Sequence, residues 1–535
     1  MRITNKIMQR NSLSNINDNK ILQDNLTTQM STQKKISRAS DDPVIAIRAL
    51  RLRTNVTEVT QYYSKNIPDA ESWLKVTEDA LKSTSQVVTN MIEQATRGSN
   101  GDLTSEERKI IIEQLKALGD EVYKTGDASY AGRYVFTGYR TDTSLSFQED
   151  SRDTTYSLTE QIDRNSIDQI KHVNIGALSD WTNANFATNA TVAAMDETKV
   201  STADVYRFRL AYDDLDDVKP VLTYTDISGV DQTINTDYVV LSNDTTTLTP
   251  DPYSYVAQND DAVVLVKDTG ELLIGKNVYG TLMGTKDNPT TAEKNEAEIR
   301  ITYEKTNFSG NDLRPEHYYA CTATKWKTDS SGAIITPKTA EDGYPLDFNQ
   351  DYLSGIVEKQ SIEYDVGFNQ TIRVNSTADE SYNLGIGREV DDLVNALQRV
   401  INLEDLKKNI ENKIATTTDD TALGYLKNQL TATEKALTFE KDTCQKRFEK
   451  GITSFQGFLD DTSLAITNCG TRSSKLELIE GRMQNQKTTF ETLKSKNEDI
   501  DITEVAINLS SAELTYSAAL QATGKIIQNT LLNYI

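Results

Sequence analysis

The sequence predicts an α+β protein: an antiparallel α-helical bundle or coiled-coil stem formed by both termini, with a large, mainly β region inserted between them. Three observations predict it. Apolar residues recur three and four apart through residues 43–97 and again from 502 to the end, the spacing of helices that bury one stripe. Between 140 and 385 that periodicity fades into short β-favouring runs separated by turn residues. Hydrophobic residues are 37% of the 535 and the formal charge is −23, a balance that suits long helices and polar outer domains better than one large core.

The first segment, residues 1–37, spaces Ile3, Ile7, Leu13, Ile16, Ile21, Leu26, Met30 and Ile36 at intervals compatible with one helical face. Six asparagines fall in its first 25 residues, and asparagine forms helices poorly, so this helix needs a partner. The first 60 residues carry ten Lys/Arg against five Asp/Glu, a basic end on an acidic chain. A boundary follows at Arg38–Asp42. Asp42 can cap the free N–H groups of a helix start, and Pro43 fits the first turn, where its missing N–H costs nothing.

Beyond the boundary, Tyr63, Ile67, Ala70, Leu74, Thr77, Leu81, Thr84, Val88, Met91 and Ala95 form a heptad-like stripe. Pro68 inside it predicts a kink or break between Tyr63 and Asp69. Residues 97–101 read as a turn. Thr104 and Glu107 have capping-box spacing for a helix over 104–124 that buries Ile111, Leu115, Leu118 and Val122, and the short link predicts an antiparallel pair with the preceding helix. Residues 130–138 read as a short strand or hairpin.

The inserted region shows strand candidates at Tyr206–Leu210, Val221–Tyr224, Tyr238–Leu241 and Ala262–Val266. Asp213–Asp217 lacks the spacing of a calcium loop and reads as solvated turns. Helical pattern returns near Gly387, with Val390, Leu393, Val394, Leu397, Val400 and Ile401 on one face, continued by Leu406 and Ile410. Separate helical pieces are expected at 420–450 and 472–498, the latter with core positions Leu476, Ile479, Met483, Phe490 and Leu493. The last helix carries Ile502, Val505, Leu509, Ala512, Tyr516, Ala519, Thr523 and Ile526 in register, and Leu520, Ile527, Leu531 and Tyr534 widen its apolar side. A face that broad calls for more than one partner.

No catalytic constellation is present: there is no GxSxG, no phosphate-binding glycine loop and no HExxH. His172 and His317 are the only histidines and read as surface or loop residues. Cys321, Cys444 and Cys469 have neither metal nor disulfide spacing. The carboxylates read as a solvated surface. The expectation is therefore a protein that is not an enzyme, with no cofactor, no metal, no nucleic-acid partner and no membrane span. The N-terminus has positive residues but lacks the apolar core of a signal peptide.

The N-terminal MRITNKIMQRNSLSNIN, the stretch from Lys35 to Pro43 (KISRASDDP), residues 132–138 (GRYVFTG) and the terminal run from Tyr516 to Ile535 resemble the bacterial flagellin superfamily. Pro43-Val44-Ile45 after the Asp41-Asp42 pair, and a penultimate Tyr534, resemble its hook–filament junction branch more than its filament branch. The resemblance covers about residues 1–140 and 385–535.

It implies that 1–40 with 502–535 form an inner coiled-coil layer, disordered in the free monomer. It further implies that 43–138 with 388–498 form a helical stem and that 140–385 makes one or two outer domains. It implies a structural role in the extracellular flagellum, joining hook to filament after export without a cleavable signal. Its partners would be copies of itself in a ring, an adjoining hook-associated junction protein, flagellin and, before secretion, an export chaperone. Arg38, Asp41, Asp42 and Pro43 would then be the joint between layers. Leu509, Tyr516, Ala519, Ile526, Leu531 and Tyr534 would be assembly positions. The alternative within the superfamily is a filament subunit; the alternative of another class is a surface adhesin or hydrolase in residues 140–385.

Overall fold

The computed structural model describes residues 5–226, 229–249, 251–284, 299–328, 334, 342–354 and 360–528. In chain order the helices α1 (Asn5–Thr32), α2 (Pro43–Gln61), α3 (Ile67–Gly98) and α4 (Ser105–Gly126) come first. The hairpin β1 (Ser129–Tyr130) and β2 (Arg133–Tyr134) leads into the inserted region. There follow β3 (Thr154–Ile162), β4 (Asp168–Asn174), α5 (Ala190–Ala193), β5 (Ser201–Arg209), β6 (Val221–Thr225), β7 (Asp231–Asn235) and β8 (Tyr238–Val240). Next are α6 (Pro252–Gln258), β9 (Val263–Val266), β10 (Glu271–Ile274), α7 (Lys276–Met283), β11 (Ile299–Lys305), β12 (Ala320–Trp326) and β13 (Gly343–Phe348). The chain ends with the hairpin β14 (Glu363–Gly367) and β15 (Gln370–Arg373), then α8 (Gly385–Thr416), α9 (Asp420–Glu498) and α10 (Ile502–Gln528). The α+β class and the helical termini around a β insertion are as the sequence predicts.

The chain forms two compact units. The first is Met1–Glu71 with Glu363–Ile372 and Ser473–Ile535; the second is Ser72–Ile362 with Arg373–Arg472.

In the first unit α1 runs beside α10, joined at one end by an antiparallel bridge between Lys34 and Asp499. The residues of α10 turned inward are Val505, Leu509, Ala512, Tyr516, Ala519 and Thr523, alternating four and three apart. Those of α1 are Gln9, Ser12, Ile16, Asn19, Gln23 and Leu26, with the same spacing. The predicted apolar stripe of α1 is thereby corrected. Ile16 and Leu26 lie on the seam, whereas Ile7, Leu13, Ile21 and Met30 are exposed, as is Ile502 on α10. The reason for three of them is arithmetic: Ile7, Leu13 and Ile21 do not keep a strict three–four rhythm with Leu26, and polar residues that do keep it take the seam; Met30 keeps the rhythm but lies exposed in the last turn of α1.

The break foreseen at Pro68 is a five-residue π turn, Tyr62–Asn66, in which the Ile67 N–H reaches back to Tyr62 O. Pro68 has no N–H for the regular ladder, and the preceding turn takes in an extra residue where that ladder is interrupted. The β14–β15 hairpin packs on this turn. Asn66 Nδ2 donates to Asp365 O at 2.7 Å, Tyr364 Oη donates to Asp69 Oδ2 at 2.7 Å, and Phe368 meets Tyr62 edge-on at 5.7 Å.

In the second unit the stripe of α3 is buried without exception from Leu74 to Ala95. Its Val88, Met91 and Ala95 join Ile111, Leu115 and Val122 of α4, Val390, Leu393, Leu397 and Ile401 of α8, and Phe448 and Phe455 of α9 in one core. The capping box at Thr104 and Glu107 is formed as predicted. Helices α3 and α4 pack antiparallel as expected, with Thr84 Oγ1 and Thr125 Oγ1 2.7 Å apart, while α8 approaches α4 more closely still. A glycine permits the approach at one point: a Cβ on Gly387 would lie 2.9 Å from the Tyr123 hydroxyl, which accepts the Gly387 N–H at 2.8 Å. Arg108 and Glu404 clamp the far end at 2.9 Å.

The two helical pieces expected at 420–450 and 472–498 are one helix of 79 residues. Gly451, Gly457 and Gly470 lower local propensity, but a burial repeat overrides it. Phe448, Phe455, Thr462, Cys469, Leu476 and Met483, each seven residues after the last, are all at most 2% exposed. Phe490 is half-buried and Leu493 is exposed, so the core face ends before Leu493.

The insertion has two main sheets. One has six antiparallel strands in the order β13-β12-β3-β11-β6-β7; the other has five in the order β4-β5-β10-β9-β8. Strand β11 alternates buried and half-buried residues, whereas β9 and β10 are buried at every position. Strands β8 and β9 pair in parallel, as the intervening α6 crossover requires. Edge strand β13 is mostly exposed and carries Pro345, which withholds a donor from further pairing.

The reading of the carboxylates as a solvated surface is overturned here. Arg207 on β5 contacts Glu271, Asp392 at 2.7 Å and Asp168 at 3.2 Å, all at side chains no more than 15% exposed. Arg447 of α9 reaches Glu389 at 3.2 Å and also Asp392. This network fastens the five-stranded sheet to α8 and α9. The histidines are not free surface groups either. His172 Nε2 lies 3.2 Å from Asp251, and His317 Nε2 lies 3.0 Å from Ser144 O. Burial lowers the His317 pKa and keeps its ring neutral.

Candidate assembly site at the joint of the terminal helices

The connection between α1 and α2 is built from short polar side chains. Gln33 ends α1 with φ 60°, turning the chain out of the helix. Asp41 Oδ2 accepts the Arg38 N–H at 2.8 Å and the Ser37 N–H at 3.1 Å, closing a tight loop. These hydrogen bonds, the Arg38 N–H first, hold its carboxyl below the usual range. Asp42 is extended (φ −150°, ψ 103°), and its Oδ1 accepts Val44 N–H at 2.8 Å and Ile45 N–H at 3.1 Å. Pro43 occupies the first turn of α2. The helix boundary therefore sits where Asp42 and Pro43 place it.

The same connection is tied to the end of α9 and the start of α10. The Lys35 N–H donates to Glu498 O at 2.7 Å and the Ile500 N–H donates to Gln33 O at 3.2 Å, a two-bond fragment of antiparallel ladder. Lys34 Nζ binds Asp499 at 2.5 Å and lies 3.6 Å from Glu498. Arg53 of α2 meets both oxygens of Glu498, and Asn497 Nδ2 donates to Ile45 O at 3.2 Å.

The Glu498 side chain is 5% exposed, so its charge depends on its partners. The Arg53 hydrogen bond, working against burial and helped by the charges of Arg53 and Lys34, holds its pKa below the ordinary range. Lys34 does the same for Asp499 through its hydrogen bond, and is itself raised by Asp499.

The structure brings Arg38, Asp41, Asp42 and Pro43 together in this connection, with Arg38 exposed. Leu509, Tyr516 and Ala519 lie on the seam of α10 that faces α1. Ile526 falls in the last turns of α10; Leu531 and Tyr534 lie outside the described residues. Sequence reasoning missed Lys34, Glu498 and Asp499. Their signal was a Lys-Lys pair and a Glu-Asp pair, each near the end of a predicted helical segment, but sequence spacing does not reveal pairing across more than 460 residues.

Outside the seam, Ile7, Met8, Leu13, Ile21, Leu22 and Met30 of α1 and Ile507, Leu514 and Leu520 of α10 are exposed. Val44, Ile47 and Leu50 add an exposed row on α2. Among the described residues no group of three or more His, Cys, Asp or Glu could hold a metal ion, and no helix is long and apolar enough to cross a membrane.

Residues 3–141 match the model of the bacterial flagellin N-terminal helical region. The chain is 27% identical over 143 residues to flagellar hook-associated protein 3 of Salmonella typhimurium, a stretch that is 26% of this chain and 45% of that relative. It is 28% identical over 122 residues to a flagellin of Clostridium tyrobutyricum, covering 23% of this chain and 32% of the relative. The chain thus spans less than half the length of these curated relatives. Flagellar hook-associated protein 3 from Legionella pneumophila aligns with 83% of this chain and 97% of its own, at 10% identity and a TM-score of 0.25.

Proposed function

We propose that this chain, whose N-terminal region belongs to the bacterial flagellin superfamily, is a structural subunit of the flagellar axis that joins the hook to the filament. One observation carries the reading. Among the described side chains, the hydrophobic ones that the α1–α10 pair buries are only Leu26, Val505 and Ala512, while Leu13 is 60% and Leu514 73% exposed. A helix pair that turns its larger apolar groups outward is completed by neighbours, here further copies of the same pair packed side by side.

In this reading the pair forms the inner layer and the connection at Arg38–Pro43 is the corner from which α2 departs. The partners are sister subunits in a ring, a second hook-associated junction protein and flagellin, with an export chaperone before secretion. The protein works outside the cell, by shape and packing. Pro43-Val44-Ile45 after the Asp41-Asp42 pair supports the junction position over the filament.

A flagellin-type filament subunit is the second reading, favoured by the 122-residue match to the Clostridium flagellin. Immunogold labelling of intact flagella separates them. Label at one band between hook and filament is the expected result; label along the filament establishes the second reading and discards the first.

A further inference from the structure

The second unit contains a cleft of about 700 Å³ between strand β4, the turn after it, and helices α8 and α9. That volume is within the range of small-molecule sites. Five titratable side chains line it: His172 of β4, Asp251 before α6, Arg399 and Asp405 of α8, and Glu440 of α9.

Glu440 is 5% exposed, and its carboxylate has no hydrogen-bond or ion-pair partner among the described residues. Arg399 likewise has no ion-pair partner there; its guanidinium carbon stands 6.0 Å from the Tyr253 ring centroid. His172 is stacked on Tyr253 at 4.7 Å with Nε2 toward Asp251, which leaves Nδ1 buried and without a partner. Buried polar atoms are normally satisfied, so the unpartnered His172 Nδ1 calls for a group supplied from the cleft. A guanidinium and a carboxylate that line one cavity without bonding each other leave room for a group that both donates and accepts.

The rest of the lining narrows the chemistry. Asn183, Asn243, Asn402 and Asn409 contribute neutral amides, and Trp181, its Nε1 fixed by Gln429 at 2.8 Å, contributes an aromatic wall. Asp251, Asp405 and Glu440 outnumber the single guanidinium, which disfavours an anion, while Asp251 is engaged by His172 and no group of three or more His, Cys, Asp or Glu among the described residues could hold a metal cation. We infer that this cleft binds a neutral saccharide, whose hydroxyls donate to Glu440 and His172 Nδ1 and accept from Arg399 and the asparagine amides. The inference is independent of the axial role.

The test uses the full-length protein on a printed array of neutral oligosaccharides, with saturation-transfer NMR at millimolar concentration for those that score. Glycine serves as the zwitterionic probe and inorganic phosphate as the anionic one. The expected result is binding of at least one neutral saccharide, weakened more than tenfold by Glu440→Gln and by Arg399→Met with an unchanged circular dichroism spectrum. Asn402→Leu, at an exposed helical position, guards against misfolding and should weaken binding several-fold. Absence of saccharide binding, binding indifferent to all three substitutions, or binding of phosphate or glycine in its place overturns the inference.

Discussion

Arg53 and Glu498 meet through two hydrogen bonds, 2.7 Å from Nε and 2.8 Å from Nη2, across 445 positions of sequence. The glutamate side chain is nearly buried and the arginine is 55% exposed. Arg53→Met should therefore cost about 1 kcal/mol, toward the upper end for a partly exposed bidentate pair. Hydrogen exchange at the Lys35 and Ile500 amides should accelerate about fivefold. Unchanged exchange at both would mean that the backbone ladder holds without the ion pair.

Asp42 should be the more local determinant. Asp42→Ala removes the acceptor for the Val44 and Ile45 N–H groups and should cost about 1 kcal/mol, whereas Asp42→Asn should cost far less. Amide exchange confined to the first turn of α2 is the readout.

Acid should open the joint. Glu498 and Asp499 have depressed pKa values in the folded protein, so their contribution is present above their unfolded values, near pH 4, and is lost as pH falls through the folded ones. Lys34 and Arg53 are raised, so their contribution is present below their unfolded values and is lost only in strong base. Protection at the Ile500 amide, measured from pH 6 to 3 and corrected for intrinsic exchange, should fall; a flat profile would contradict the assignment.

Asp392 should matter most to overall stability. Its carboxylate serves Arg207, Arg209 and Arg447 with a side chain 7% exposed. Burial opposes its ionisation, yet the three arginines hold its pKa low. Asp392→Ala leaves those cations short of a partner and should cost about 3 kcal/mol in urea denaturation.

The outward rows make the assembly prediction. Leu514→Asp should leave the melting temperature of the soluble protein within a degree or so and abolish its incorporation at the end of the hook. Deleting 502–535 should do the same while circular dichroism shows the remaining helices intact. The isolated protein should be monomeric, with the helical part of the N-terminal segment, up to residue 32, exchanging rapidly and the joint beyond it protected; strong protection throughout that helix would defeat the expectation.

Much of the helical architecture was legible because it rests on local rules. The Thr104–Glu107 box, the Asp42–Pro43 boundary and the stripe from Leu74 to Ala95 each need only a few neighbouring residues to be recognised. What escaped was non-local. Gly451, Gly457 and Gly470 argue locally against a helix, and only the seven-residue repeat from Phe448 to Met483 argues for one. The seam of α1 was misassigned because the eye follows isoleucine, whereas the partner helix selects whatever residue keeps step. The carboxylates of Asp168, Glu271 and Asp392 look like surface residues until three arginines from distant segments converge on them. The cleft beside Glu440 had no sequence signal at all, since its walls come from segments more than 200 residues apart.

The seam of α1 has a mechanical consequence. Ser12, Asn19 and Gln23 facing Ala512, Ala519 and Thr523 offer little to distinguish one alignment from the next, so a shift by a heptad, about 10 Å at 1.5 Å per residue, forfeits few apolar contacts. Alignment is fixed instead at one end, where the Lys34–Asp499 bridge pins the two strands of backbone. The pair behaves as a sliding rule with a single pin: the pin sets the scale, and the rest of its length stays free to settle against whatever lies alongside.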